Sequence, residues 1–356
     1  MRPDILDLVC CPACAGHLSL QATATNGHEV ITGCLMCVAC KQRYPIKRRM
    51  PYLYIDDERW APKAREAEGW IALHKKRGIY DQTGVDIDFR LPYFPQEPWL
   101  TVARHFDAGV ARAALSNGET VLDLGGGRGW AAKQFALKGC RAVAIDVVAD
   151  EQIGLGRAWA LMEQAGAQFD PIIGDSENLP FHPGTFDVVF CAAVLHHTSN
   201  LTGLLRSVYK VLKPGGRLVA VNEPCIPLRE DARRVLKRDA AEELALGINE
   251  SRPNYLDYWT ALRDAGFTSI EIFPLEVCAQ SDPAIEAWAL QLDAIPLPLR
   301  AWQLRRLPRI LARYARRWRN TWGRMGRLPR PPSKREAIIQ AILVHSGGGI
   351  VISASR

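Results

Sequence analysis

The stretch Val121-Leu122-Asp123-Leu124-Gly125-Gly126-Gly127-Arg128-Gly129 decides the fold of this chain. Its first four residues form a mostly apolar run that is typical of a buried strand. The run leads directly into closely spaced glycines, whose bare backbone lets a ligand approach within contact distance. A helix that follows such a loop offers free N–H groups to an anionic group. The stretch therefore predicts a strand, a ligand-binding loop and a helix.

The spacing of the glycines separates two ligand classes, dinucleotides and S-adenosylmethionine. A dinucleotide loop follows the pattern G-x-G-x-x-G, in which the third glycine lets the helix pack closely on the strand. Counting from Gly125, that third position is Trp130, which is far too large. The loop instead reads G-x-G-x-G, with glycines at 125, 127 and 129. This spacing favours S-adenosylmethionine.

Strand-like and helical segments alternate on the carboxyl side of the loop. Strands are expected at residues 120–124, 141–147, 171–174, 186–191 and 217–222, and helices at 130–138, 151–165 and 200–212. Pro214-Gly215-Gly216 is expected to break the chain. A helix at 255–265 and strands at 268–273 and 349–353 are expected to complete the domain with an antiparallel hairpin. The alternation predicts βαβ units and a parallel sheet covered by helices on both faces.

Several motifs together resemble the class I S-adenosylmethionine-dependent methyltransferases, in particular the group related to ubiquinone and menaquinone C-methyltransferases. The resemblance covers about residues 119–221. It rests on VLDLGGGRG, on AIDV at 144–147, on GDSENLPFHPGTFDVVFCAAVLHH at 174–197 and on VLKPGGRL at 211–218. Several motifs in the same order and spacing are far more specific than one glycine loop. The resemblance implies an α/β, Rossmann-like, seven-stranded domain that transfers methyl groups from S-adenosylmethionine.

The resemblance also implies which residues hold the cofactor. Asp123 is expected near its methionine end, beside the loop glycines Gly125, Gly127 and Gly129. Asp146 is expected to accept hydrogen bonds from both ribose hydroxyls. Asp175 and Ser176 are expected beside the adenine.

Two adjacent histidines, His196 and His197, follow the strand that ends at Cys191. Ligands of open α/β sheets bind at this carboxyl end of the strands, so either imidazole is a candidate general base. The alternative is that the pair only hydrogen-bonds backbone where the next connection opens.

Glu223, just after the strand at 217–222, is a further pocket candidate, with capping of the strand end as its alternative. Residues 191–194 differ from the Asn-Pro-Pro-Tyr type signature, which argues against methylation of an exocyclic amine.

Six of the ten cysteines lie in the first forty residues. Two Cys-x-x-Cys knuckles, Cys11/Cys14 and Cys37/Cys40, match the thiolate set of a tetrahedral zinc ion. The N-terminus lacks the layout of a signal peptide, so the paired spacing favours metal over disulfides. Cys34 and Cys10 compete with Cys40 and Cys11 as ligands.

Residues 5–53 resemble the short zinc-ribbon proteins that activate methyltransferases. The resemblance rests on the opening ILDLVCCPAC and on Tyr44-Pro45-Ile46 after the second knuckle. It departs at Arg49, where that family usually has a glycine two residues before proline. The resemblance favours Cys40 over Cys34, and four protein ligands leave no open position, so a structural Zn²⁺ is expected. The domain is expected to dock on the catalytic domain.

A basic segment lies near the C-terminus. Residues 300–330 contain eleven arginines and no acidic residue. Apolar residues recur there at helical spacing: Leu307, Ile310, Leu311, Tyr314, Trp318 and Trp322. Such a helix can lie on an anionic membrane surface, follow the phosphates of a nucleic acid, or pack on the domain with its arginines solvated.

These observations divide the chain into a zinc-ribbon-like domain at 1–56, a helical connector or cap at 57–117, and a methyltransferase domain at 118–356 with a basic insertion at about 296–335. The formal charge of +7 is mild, and 48% of the residues are hydrophobic, which is ordinary globular composition. No apolar run is long enough to span a bilayer. A cytoplasmic location is expected, and the basic segment adds the option of peripheral membrane contact.

The predicted function is S-adenosylmethionine-dependent O- or C-methylation of a small-molecule, sugar or lipid-linked acceptor. One alternative is an RNA methyltransferase that uses the ribbon and the basic segment to bind RNA. Another is a non-catalytic scaffold protein that keeps the cofactor fold.

Overall fold

A computed structural model of the chain describes residues 1–80, 85–275, 323–330 and 333–356. Residues 276–322 lie outside this set, and they hold most of the basic segment. The three interpretations of that segment therefore stay predictions, as do the domain boundaries at 56 and 117. Among the described residues, none of the helices is long and apolar enough to cross a membrane.

The N-terminal part is built from four antiparallel strands, each paired with the next along the chain. They are β1 (Leu18–Asn26), β2 (Glu29–Cys37), β3 (Arg43–Lys47) and β4 (Met50–Leu53). The turn between β3 and β4 contains Arg48 and Arg49, whose φ angles are 50° and 63°. The tight turn therefore forms without glycine, with two arginines in the left-handed region that L-residues seldom adopt.

Three helices follow: α1 (Ala61–Lys76), α2 (Val85–Arg90) and α3 (Trp99–Ala113). The central sheet then has seven strands, as the sequence predicts. They are β5 (Thr120–Leu124), β6 (Arg141–Asp146), β7 (Phe169–Gly174), β8 (Phe186–Ala192), β9 (Leu212–Cys225), β10 (Thr268–Pro274) and β11 (Gly348–Ser355). Their order is β7-β6-β5-β8-β9-β11-β10, with the first five parallel and β11 antiparallel to both neighbours. The predicted C-terminal hairpin is confirmed.

Helices cover both faces of this sheet. They are α4 (Trp130–Leu137), α5 (Ala158–Ala165), α6 (Leu201–Val211), α7 (Ala232–Asp239), α8 (Ala241–Ala245), α9 (Tyr255–Ala265) and α10 (Lys334–His345). Alternate residues of β8 enter different apolar clusters, with Val189 packing on the α6 and α9 side and Phe190 on the α3 and α4 side. Burial on both faces explains why the parallel strands are almost continuously apolar.

Two predicted boundaries are wrong, and both errors come from glycines. The helix expected over 151–165 begins only at Ala158, because the chain first folds tightly at Gly154, where an added Cβ would lie 2.2 Å from the Val148 carbonyl oxygen. Pro214-Gly215-Gly216 does not break the chain. It lies inside β9 as an irregularity, since Phe186 pairs with Leu212 while Val188 pairs with Arg217.

The N-terminal strands extend the central sheet, because β4 pairs in parallel with β7 through Tyr52 and Leu53. Hydrogen bonds from Cys10 N to Pro180 O (2.9 Å) and from His182 N to Leu8 O (3.0 Å) join the same two parts. Arg2 forms an ion pair with the buried Asp170 on β7 at 2.6 Å. The ribbon is thus fixed to β7, the edge strand of the seven-stranded sheet.

Candidate functional site

The glycine loop, residues 125–129, turns sharply between β5 and α4. A Cβ added at Gly125 would lie 2.6 Å from Val194, and one at Gly129 would lie 2.7 Å from Phe169. Gly127 has φ 53°, and an added Cβ there would meet nothing within 4 Å. The outer glycines therefore allow close packing, while Gly127 presents bare backbone to open space.

Asp146 ends β6 beside this loop. Its Oδ2 accepts a hydrogen bond from Gly127 N, and its Oδ1 accepts one from Val148 N, both at 2.8 Å. Burial raises the pKa of Asp146, while the two N–H groups act in the opposite direction. The carboxylate is held in one orientation at the wall of a cavity.

This cavity has a volume of about 300 Å³ and lies over the carboxyl ends of β5, β6 and β8. Gly125, Gly127, Asp146, Ser176 and His197 line it, so it brings together five of the residues predicted for cofactor binding and catalysis. The position agrees with the rule that open α/β sheets bind ligands where strand order reverses, here between β5 and β8.

Helix α1 forms the opposite wall, through Glu66, Trp70 and His74. The sequence predicts only a helical connector or cap here, and these three residues were not predicted as part of the site. Their spacing of four puts them on one helix face, and that regular array of polar and aromatic side chains was the available signal. The Lys63 Nζ lies 2.9 Å from Glu177 Oε1 and 3.3 Å from Glu66 Oε2, which links α1 to the loop after β7.

Helix α2 is fastened to the glycine loop by one buried carboxylate. Asp88 is fully buried, and its oxygens pair with Arg128 Nη1 at 3.0 Å and with Arg157 Nε at 2.7 Å. Because Arg128 belongs to the loop itself, these ion pairs tie the position of α2 to the cofactor side of the sheet.

Asp123 and Asp175 do not line the cavity. Asp123 is only 2% exposed, and its Oδ2 accepts a hydrogen bond from Ala132 N at 3.0 Å. Burial raises the pKa of this carboxyl to about 8. The Oδ1 of Asp175 accepts from Glu177 N at 2.9 Å. In these positions Asp123 joins β5 to α4 and Asp175 shapes the loop, so their contact with a cofactor stays a prediction.

Glu223 organises the end of β8 from its position on β9. The side chain is completely buried, and its Oε1 accepts from Val194 N at 2.7 Å and from Leu195 N at 2.9 Å. The His196 Nδ1 lies 2.8 Å from Oε2. Burial acts to raise the pKa of Glu223, but the hydrogen bonds from His196 and the backbone outweigh it and lower this pKa. Glu223 is therefore an ionised acceptor for the Nδ1 proton of His196.

His197 lies at the cavity wall, where its ring is nearly perpendicular to that of Trp70, at 83°, with 5.3 Å between the ring centroids. Its Nδ1 is 2.7 Å from the carbonyl oxygen of Asn249, which can only accept, so Nδ1 carries the proton and Nε2 holds a lone pair. Burial, together with the neighbouring His196, lowers the pKa of His197 to about 4. The ring is thus neutral near physiological pH.

Backbone strain marks the same end of the sheet. Ala193 has φ 58° and lines the cavity, and Asn222 at the end of β9 has φ 57°. Non-glycine residues in this region cost about 1 to 3 kcal/mol each and persist where the surroundings over-determine them. The hydrogen bond from Ala193 N to Val221 O, at 2.9 Å, supplies part of that restraint.

A second centre lies in the N-terminal part, where Cys11, Cys14, Cys37 and Cys40 meet. The Sγ atoms of Cys11 and Cys40 are 3.6 Å apart, and those of Cys14 and Cys37 are 3.5 Å apart. Four thiolates around zinc at 2.3 Å lie about 3.8 Å from one another, so the set fits the ion. Cys34 instead directs its thiol to Leu35 O, and Cys10 is a buried thiol whose pKa burial raises to about 11.

The comparison with family models gives two matches. Residues 122–220 match the model described as a methyltransferase domain, and residues 2–48 match the model described as Trm112p-like protein. The chain therefore contains a class I, S-adenosylmethionine-binding methyltransferase domain behind a Trm112p-like zinc ribbon.

Individual relatives agree with the first match. The sterol 24-C-methyltransferase of Saccharomyces cerevisiae is 31% identical over 187 residues, which are 52% of this chain and 48% of that protein. The ubiquinone/menaquinone biosynthesis C-methyltransferase of Cereibacter sphaeroides is 31% identical over 123 residues, 34% of this chain and 49% of that one. The chain thus spans about half the length of these curated relatives.

Among solved structures, the Haemonchus contortus phosphoethanolamine N-methyltransferase 2, in complex with phosphomonomethylethanolamine and S-adenosylhomocysteine, aligns with a TM-score of 0.50. The alignment covers 88% of this chain and 63% of that chain, at 14% identity. At this identity the likeness describes the fold alone.

Proposed function

We propose that this protein transfers a methyl group from S-adenosylmethionine to an oxygen or carbon atom of a small-molecule acceptor. The observation that carries the proposal is the continuous cavity that runs from the glycine loop and Asp146 to His197. A donor held at one end of such a cavity and an acceptor at the other are within reach of each other, and helix α1 shields both from water.

The donor end is assigned to residues whose geometry suits a nucleoside. Gly127 leaves room for close approach, and the fixed carboxylate of Asp146 is an acceptor for two hydroxyl groups. Ser176 and Trp70 line the remaining wall. Bound there, S-adenosylmethionine supplies an activated methyl group on a sulfonium sulfur.

The acceptor end is assigned to His196 and His197. Both rings have their Nδ1 atoms engaged, by Glu223 and by the Asn249 carbonyl, so both offer Nε2 lone pairs. An acceptor that carries a proton must lose it as the new bond to carbon forms. Nε2 of His196 is the candidate proton acceptor, because the lowered pKa of His197, about 4, makes that ring a weak base suited to accepting a hydrogen bond from the acceptor. Holding the acceptor in line with the methyl group and excluding water supplies the rest of the rate enhancement.

The acceptor class is assigned to lipids or their precursors, including lipid-linked sugars. The relatives described above carry the names of sterol and quinone C-methyltransferases. Apolar side chains of the cavity wall, including Ile145, Val148, Val194 and Leu204, suit a partly apolar molecule. An RNA acceptor is the rival class, since a Trm112p-like ribbon accompanies the domain.

The test supplies the purified chain with S-adenosylmethionine labelled in the methyl group. It then offers a lipid extract, a polar metabolite extract and total RNA from the same cells. Label in the organic or polar small-molecule fraction supports the proposal, and label in RNA overturns the acceptor class. Failure to bind S-adenosylmethionine or its demethylated product by calorimetry overturns the methyl-donor assignment and leaves only a scaffold role. Replacing Asp146 with Asn provides the matched low-affinity control.

A further inference from the structure

Three side chains form a compact group of metal-ligating type, in which His197 lines the cavity and the other two lie behind it. His196 and His197 come from the short helical turn Leu195–His197, and Glu250 comes from the segment that follows α8. Each offers one ligand atom, and the three atoms lie within 4.8 Å of one another. His196 Nε2 is 4.0 Å from Glu250 Oε2, and the rings of His196 and His197 are 4.0 Å apart between centroids. We call this group the histidine–glutamate cluster.

Each member of the cluster has an outer partner that fixes its orientation. His196 is held by the Glu223 carboxylate at 2.8 Å, and His197 by the Asn249 carbonyl at 2.7 Å. Arg252 Nη1 is hydrogen-bonded to Oε2 of Glu250. Metal-ligating histidines regularly donate their second ring N–H to a carboxylate or a carbonyl, and ligating carboxylates are themselves hydrogen-bonded. The three outer contacts reproduce that arrangement.

The charges around the cluster also favour a cation. Glu223 and Glu250 are both buried and carry two negative charges between them, against the one positive charge of Arg252. Both imidazoles keep a lone pair on Nε2. The site is buried, has one uncompensated negative charge and offers two nitrogen lone pairs. Such surroundings disfavour an anion and suit a divalent cation.

We propose that the histidine–glutamate cluster binds a divalent first-row transition-metal ion at the acceptor end of the cavity. Two imidazoles and one carboxylate suit iron, manganese, cobalt or zinc, and three protein ligands leave positions open for an acceptor. Closing the present distances to coordination distances requires side-chain shifts of about 1 Å, because the metal lies about 2.1 Å from each ligand atom. The cysteine cluster, with four thiolates, has no such open position.

The role of the ion rests on the proposed function. An acceptor hydroxyl or enol that coordinates the ion has a lowered pKa, so its O–H bond breaks and the proton leaves to bulk water. The electron pair stays on the acceptor oxygen or enol carbon and forms the new bond to the methyl carbon. The bond from that carbon to the sulfonium sulfur breaks at the same time, its electron pair returns to sulfur, and S-adenosylhomocysteine is the leaving group. In this scheme the two histidines promote proton loss through the ion that they hold.

The binding test uses Mn²⁺ as its probe, because a four-thiolate site is soft and does not take up manganese in place of zinc. The zinc-replete full-length chain is titrated with Mn²⁺, and free ion is followed by electron paramagnetic resonance. The expected result is saturable binding of one ion per chain in the absence of any methyl donor. Binding that does not saturate, or none at all, overturns the proposal.

Variants locate the ion. His197→Ala and Glu250→Ala are each expected to weaken Mn²⁺ binding at least about 100-fold, and Glu223→Gln, which alters only an outer partner, about 10-fold to 100-fold. His182→Ala is the matched control, since the ring of His182 lies 5.4 Å from that of His17, between centroids, and is outside the cluster. Unchanged Mn²⁺ binding in both His197→Ala and Glu250→Ala would overturn the assignment. Circular dichroism and zinc content identify any variant that fails to fold, and the other variant then decides.

The two proposals can fail separately. Donor affinity is measured by calorimetry on the same preparations without added Mn²⁺. A chain that binds S-adenosylmethionine but no Mn²⁺ overturns the metal site alone, whereas one that binds Mn²⁺ but no donor overturns the proposed function alone. The Asp146→Asn variant, whose change is at the donor end, is expected to keep its Mn²⁺ affinity.

Discussion

The cysteine cluster and the cavity at the carboxyl end of the sheet are built in opposite ways. Each pair of cysteines lies on one tight knuckle, so four residues of chain bring two ligands together. The cavity instead takes its walls from α1, from the glycine loop, from the ends of β6 and β8, and from the turn at His197. Together its parts span more than a hundred residues of the chain.

This difference indicates which substitutions should affect each centre. The cysteine cluster depends on its own ligands and on little else, and zinc bound there stabilises the fold. The cavity depends on contacts between elements, such as those of Asp88 and Glu223, that never touch a ligand. A change far from the cavity should therefore alter the cavity, whereas zinc binding in the ribbon should depend mainly on the four thiols.

The largest effect is expected from the ribbon. Cys37→Ser should abolish zinc binding and unfold residues 1–53, because structural zinc contributes about 10 to 16 kcal/mol in small zinc-binding domains. Loss of the ribbon also removes the pairing of β4 with β7. Elemental analysis and thermal unfolding measure both effects. Cys34→Ser is the control, since that thiol lies outside the cluster, and zinc loss in this variant would show that the ligand assignment is wrong.

A smaller effect is expected where α2 meets the glycine loop. Asp88→Asn removes the carboxylate shared by Arg128 and Arg157 and should lower the free energy of unfolding by about 3 kcal/mol, as is usual when one partner of a buried ion pair is lost. Urea denaturation measures it. The exposed pair of Arg112 and Glu271 provides the control, and Glu271→Gln should cost less than about 1 kcal/mol. Equal losses of unfolding free energy in the two variants would show that the buried ion pair contributes no more than the exposed one.

Asp146→Asn should weaken S-adenosylmethionine binding about 30-fold, or about 2 kcal/mol, because a charged acceptor is replaced by a neutral one. The amide oxygen can still accept from Gly127 N, but the amide NH2 group then faces Val148 N–H, so a small loss of stability is expected and is measured separately by thermal unfolding. Calorimetry measures the affinity. Asp187→Asn is a matched change at the opposite end of the sheet, where Asp187 accepts from Thr120 N. A comparable loss of affinity in both variants would show that Asp146 has no direct role.

The smallest effect concerns Asp123 and depends on pH. The pKa of its carboxyl is raised from 3.8 to about 8, so the folded chain keeps a proton that the unfolded chain has released across that range. Stability of the natural chain therefore falls as pH rises between these values, by at most about 1.4 kcal/mol per unit. Asp123→Asn does not titrate and should gain about 1 kcal/mol relative to the natural chain between about pH 7 and about pH 8. Unfolding curves whose difference does not change with pH would contradict this.

Several features of the fold were predictable because they depend on local sequence. The apolar run before Gly125 predicted β5. Asn200, the predicted start of α6, caps the helix through its side chain, which accepts from Gly203 N, and α6 begins one residue later. The errors arose where packing overrides local preference. Helix α5 begins later than predicted because the chain first folds tightly at Gly154. The Pro-Gly-Gly segment lies inside β9 because β8 pairs with β9 on both sides of it.

The candidate site likewise has features that local sequence predicts and features that depend on tertiary contacts. Gly127, Asp146 and His197 follow strands, and the rule that parallel strands end at one edge was sufficient to group them. The tautomers of His196 and His197 could not be predicted, because Glu223 and Asn249 reach them from distant segments. The placement of Asp123 away from the cavity depends likewise on its hydrogen bond to α4.

The sequence by itself determined the class of fold, the donor loop and the four thiols, because glycine spacing, strand periodicity and knuckle spacing are local properties of the chain. The tertiary structure decided that α1 forms the wall of the cavity and that Glu250 joins the two histidines. These are contacts between residues far apart in sequence, and their free energy comes from burial and charge pairing that exist only once the whole sheet has been assembled.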